Sequence, residues 1–133
     1  MTVELSILAW TLVLAVFQIL LPAALRTRET GVEYNAGPRD HPSRKPVGTI
    51  TGRLQRAQDN LFQTLPLFAA AILIAHVAGR EGELTVWGAW LYFVSRILYV
   101  PLYAAGVPFL RSLIWLCGLV GLLLILFAVL RPL

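Results

Sequence analysis

The side chains able to do chemistry in this sequence are mostly arginines, tyrosines and amides, and their spacing is helical. Arg53, Arg56, Asn60 and Gln63 follow one another at intervals of 3, 4 and 3, and Tyr92, Arg96, Tyr99 and Tyr103 at intervals of 4, 3 and 4. Residues three and four apart share a helix face, so each set predicts one polar stripe. Arg26 and Arg111 stand at the ends of apolar runs. Guanidinium forks bind carboxylates bidentately, amides fix orientation and phenols cap a polar end, so together these groups suit a small anionic ligand. Singly, each has a plainer reading: snorkelling arginines, interhelical amide hydrogen bonds, an aromatic belt.

Other chemistries lack their parts. No HExxH, CxxC, GxGxxG or Walker pattern is present, and His41 and His76 are far apart, so no metal or nucleotide site is expected. The single Cys117 lies in an apolar run, which predicts inert packing and no disulfide. Glu4 is terminal, and Asp59 falls on another helix face near the end of its run. The lack of a mid-membrane carboxylate argues against a proton-coupled exporter.

What must position the stripes is a membrane bundle. The chain has 133 residues, 58% hydrophobic and 14% charged, with a mean hydropathy of +0.74; a soluble domain carries roughly 25% charge. That length allows one domain over residues 1–133 and no separate catalytic domain. The net charge of +4 could suggest nucleic acid, but seven of the eleven basic residues lie between Arg26 and Arg56. Such clustering reports topology, and no nucleic-acid partner is expected.

Uncharged or nearly uncharged runs cover Leu5–Leu25, Leu61–Gly79, Leu84–Ala105 and Leu113–Leu130, each close to the roughly 20 residues a crossing needs. The second helix is expected to start earlier, near Thr51 to Arg53, and to kink at Pro66. Trp87 and Trp90 fit an interfacial start for the third. Arg26 to Gly52 has loop composition, and Gly31 to Gly48 within it is expected to act as a connector rather than a lid. The expected fold is therefore an all-α integral membrane protein, an antiparallel four-transmembrane-helix bundle in the lipid bilayer.

Counting Lys and Arg near the helix ends puts the first loop in the cytoplasm and both termini outside. Arg96 lies inside a span, where a charge costs roughly 2.5–3.5 kcal/mol on insertion scales, and so should face the bundle. All four helices then send polar groups to the cytoplasmic half, and the outer half is expected to be nearly bare. That asymmetry points to a binding pocket.

The stretch Arg56-Ala57-Gln58-Asp59-Asn60-Leu61-Phe62-Gln63-Thr64-Leu65-Pro66-Leu67-Phe68 resembles the second-helix signature of the MAPEG family, the membrane-associated proteins of eicosanoid and glutathione metabolism. The family pattern is Arg-Ala, then Asn, then an acid three residues later, then Pro and Phe. Arg96, Tyr99 and Tyr103, and Pro108-Phe109-Leu110-Arg111-Ser112, resemble its third helix and the opening of its fourth. The sequence departs from the pattern at Gln63, an amide where the family has a carboxylate.

The resemblance, to short bacterial-type members, implies a homotrimer in a bacterial inner membrane, with glutathione as co-substrate bound between subunits near the cytoplasmic side. It implies Arg56, Asn60 and Gln63 on the ligand's polar backbone, Arg26 on a carboxylate, and Tyr99 and Tyr103 along its flank; Arg53 and Arg96, on the same two stripes, complete the expected ligand-binding set. Arg111 would stabilise the thiolate, and the lipid side would supply a small hydrophobic electrophile. The activity so implied is a glutathione-dependent transferase or peroxidase. A non-catalytic protein of the same fold, binding a lipid or anionic metabolite or scaffolding a partner, stays open beside it. A transporter fits less well, because no polar stripe reaches the outer half.

Overall fold

The computed structural model describes residues 1–43 and 46–132; Arg44 and Lys45, part of the basic loop, lie outside them. The helices are α1 (Val3–Thr30), α2 (Val32–Ala36), α3 (Thr49–Val77), α4 (Glu83–Ala105) and α5 (Pro108–Leu130). Four are long, and the short α2 was not expected. Helix α1 runs past the arginine expected to end it, because nothing between Arg26 and Thr30 breaks a helix; Gly31, at φ +94°, does. The connector is therefore shorter than its composition suggested. Pro22, Pro66 and Pro101 all fall inside assigned helices.

Helices α1, α3 and α5 are long and apolar enough to cross a membrane. Helix α4 has 23 residues and packs against all three. The core between them is built from Ile7, Leu8, Phe68, Ile72, Ala89, Tyr92, Leu122 and Ile125. Tyr92 stacks on Phe68 with ring centroids 4.0 Å apart.

Two local devices set the register. The Glu29 carboxylate near the end of α1 accepts from the Gly48 amide and from the Thr51 hydroxyl, each at 2.8 Å. A negative group at a helix N-terminus satisfies orphan donors and complements the dipole, so α1 fixes where α3 begins and where Arg53 and Arg56 stand. On the other side, a Cβ added to Gly88 would lie 2.5 Å from the Gly121 carbonyl oxygen, and one added to Gly121 would lie 2.5 Å from that of Gly88. Helices α4 and α5 thus meet backbone to backbone, the first turns of α4 against the second half of α5.

The end of the bundle that holds the turn between α3 and α4 is not bare, contrary to expectation. Glu4 is buried and accepts a hydrogen bond from Thr85. Glu81 accepts from the Thr2 hydroxyl at 2.7 Å and pairs with His76 Nδ1 at 2.8 Å. These contacts tie the chain start to the turn between α3 and α4. Cys117 also departs from expectation: it is exposed, beside Trp87 and Trp90 in an apolar groove on the outer surface of α4 and α5.

Candidate anion-binding site

Arg96, the charge expected to lie inside a span, is enclosed by protein. Only 2% exposed, it donates through Nη1 to Asn60 Oδ1 at 2.8 Å and through Nη2 to the Ala57 carbonyl at 3.4 Å. Its guanidinium carbon lies 4.3 Å from the centre of the Tyr99 ring. One stripe thus reads onto the other, α4 onto α3. Arg96 is committed to this packing and does not line the open space beside it.

That space is a recess of about 250 Å³ lined by Arg53, Arg56, Tyr103, Gly106, Pro108 and Arg111. Tyr99 meets Tyr103 edge-on, centroids 5.5 Å apart. The Tyr103 ring has Arg111 at 4.6 Å and Arg56 at 5.9 Å. Arg53 donates to the Ala104 carbonyl at 3.2 Å, and its guanidinium rests where a side chain on Gly106 would be, 2.8–2.9 Å from an added Cβ. Gly106 also adopts φ +75° as the C-cap of α4. The positive φ is what favours glycine there, and the turn it makes brings α5 back with Arg111 over the tyrosine.

Of the predicted residues, Arg53, Arg56, Tyr103 and Arg111 converge on this recess, with Tyr99, Arg96 and Asn60 packed in contact behind them. Arg26 and Gln63 do not join them. Arg26 lines a second recess of about 200 Å³ between α1 and α3, with Asn35, Arg39, Gln55 and Gln58. Gln63 is exposed on α3. The α3 stripe lies along the edge of an outward face: Arg53 and Asn60 are half-buried, and Arg56, Gln63 and Leu67 are exposed.

Sequence spacing missed Arg39, Gln55 and Gln58 beside Arg26; only the interval of three between the two glutamines hinted at a shared face. It also missed the Thr64–Tyr92 hydroxyl pair at 2.8 Å, although Tyr92 was on the expected stripe. Nothing local marked Glu29, which acts on residues 19 and 22 positions away.

Comparison with known families decides what these helices are. The family model described as the MAPEG family matches residues 7–131. The chain belongs to the MAPEG family. No curated protein and no solved structure matches it. The matched span includes all four long helices almost end to end, and with them every residue of both recesses. MAPEG membership supports a membrane-bound role at the level of glutathione-related transferase, peroxidase or allied chemistry.

Proposed function

We propose that this MAPEG protein is a membrane-bound glutathione-dependent transferase or peroxidase acting on hydrophobic electrophiles. The observation that carries the reading is the Tyr103 ring with guanidiniums of Arg56 and Arg111 at 5.9 and 4.6 Å, and Arg53 lining the same recess. Carboxylates of the tripeptide bind the α3 arginines, and the thiol lies toward Arg111. A free thiol has a pKa of about 8.5, and an adjacent cation lowers it, so more thiolate exists at neutral pH. The thiol proton leaves to solvent. The sulfur lone pair then forms a bond to the electrophilic carbon, and the leaving group departs with the displaced electron pair.

The working unit in this proposal is a homotrimer of four-span subunits, with the basic ends at the cytoplasmic face of a bacterial inner membrane, as the distribution of Lys and Arg favours. One subunit carries Arg26 in one recess and Arg111 in another. Exposed polar groups on a membrane-spanning helix, Arg56 and Gln63 on α3, find partners if a neighbouring subunit covers that face. A neighbour so placed would bring the two recesses together around one ligand, with Arg26 on a carboxylate.

Turnover of a chromogenic aryl halide with glutathione tests the activity. Arg111→Ala is expected to lower kcat by at least two orders of magnitude while the oligomer stays intact. A second reading, a non-catalytic protein binding a lipid or anionic metabolite, draws on Gln63, an amide in place of the family's acid. Full turnover in Arg111→Ala would remove the assigned role of that arginine, and no turnover in the native chain would favour the second reading.

A further inference from the structure

The recess between α3, α4 and α5 gathers positive charge with no acid to balance it. Arg53, Arg56 and Arg111 line it, and among the described residues no carboxylate does. The one ion pair among the described residues joins His76 and Glu81 at the far end, so none of these three guanidiniums is neutralised. The second recess, with Arg26 and Arg39, is also free of acids among the described residues.

The helix ends show the same bias. Helices α1 and α4 carry Glu4 and Glu83 in their first turns, and α3 takes the Glu29 carboxylate from α1. Helix α5 has no acid there and carries Arg111 instead. A helix N-terminus amounts to roughly half a positive charge, so Arg111 is repelled by its own helix as well as by Arg53 and Arg56. A bound anion relieves all of these at once, whereas a cationic group on the ligand finds no carboxylate among the described residues of the lining. Gln63 is neutral, and Asp59 is exposed on α3 outside the recess lining.

We infer that the site selects a thiol bearing at least two anionic groups and no ammonium, a dicarboxylate or phosphate-bearing thiol in preference to a zwitterionic one. The inference rests on the proposed thiol-activating function and narrows its substrate class. Glutathione, with its free amine, is then a usable but imperfect co-substrate.

Calorimetric titration of the detergent-solubilised protein with glutathione, with N-acetylglutathione, whose amine is capped, and with inorganic pyrophosphate is the test. N-acetylglutathione is expected to bind at least as tightly as glutathione, and pyrophosphate to compete with both. A tenfold or greater loss on capping in the native protein overturns the inference, because an ammonium partner such as Asp59 must then exist. If glutathione still gives a thiolate signal in that case, the proposed activity survives without it. Pyrophosphate binding with no thiolate from either thiol overturns the proposed activity, and the thiol inference with it.

Discussion

Arg96 on α4 and Asn60 on α3 are joined at 2.8 Å, Nη1 to Oδ1, and that bond orients an amide at the edge of the basic recess. Asn60 uses its oxygen on Arg96, which leaves its two N–H donors for other partners. A hydrogen bond to a charged group contributes about 1.5–3 kcal/mol, and its loss leaves a buried cation short of a partner. Asn60→Leu is therefore expected to lower the thermal midpoint of the purified protein by several degrees, measured by tryptophan fluorescence. Asn60→Asp, which keeps the acceptor, should restore most of it.

Tyr103 presents its ring to both Arg56 and Arg111. The attraction is to the ring and not to the hydroxyl, and cation–π contacts are worth about 0.5–2 kcal/mol. Tyr103→Phe should keep anion affinity within about threefold, and Tyr103→Leu should weaken it by about tenfold, because each loses a defined share of that range. Calorimetry with pyrophosphate reads both. Equal losses in the two variants would place the effect in the hydroxyl.

Glu29 sets the start of α3 through Gly48 and Thr51. Removing a side-chain cap costs about 0.5–2 kcal/mol of helix stability. In Glu29→Ala, hydrogen exchange is expected to speed up over Gly48 to Leu54 while the rest of α3 stays protected. Unchanged protection there would show that the packing of α3 alone fixes its first turn.

Much of this arrangement is legible in the sequence, and the parts that are not have a common cause. The intervals of three and four that placed Asn60 and Arg96 on facing stripes depend only on helix period, and the two residues meet. The same period put Gln63 in line with Asn60, but a stripe has width: Asn60 falls on its half-buried edge and Gln63 on its exposed one. Which edge a neighbour covers depends on the angle between packed helices, which one helix's period does not contain. Glu29 and Glu4 were illegible for a related reason, since both act across helices on partners far away in the chain. The end of α1 is hidden in the sequence because the charges from Arg26 onward look like a loop, whereas Gly31 is the residue that stops the helix.

At the end away from the basic recess, burial alone would push the Glu81 carboxyl up, but hydrogen bonds from Thr2 and His76 and the charge of His76 outweigh it and hold it below its ordinary 4.5. A carboxyl lowered on folding adds stability above its unfolded pKa and loses it as pH falls through the folded value. The thermal midpoint is expected to drop on acidification below pH 4.5, and Glu81→Gln should make that drop shallower. An identical pH profile in the variant would mean that the Thr2 and His76 contacts contribute nothing to folding.

The central claim is that Arg111 turns a bound thiol into a thiolate, and ultraviolet difference absorbance on adding glutathione at neutral pH tests it most directly. The native protein is expected to show a saturable thiolate band that Arg111→Ala abolishes while the variant stays folded. An equal band in Arg111→Ala would contradict the role given to that arginine, and no band in a folded, assembled native protein would contradict the assignment of thiol chemistry to this site.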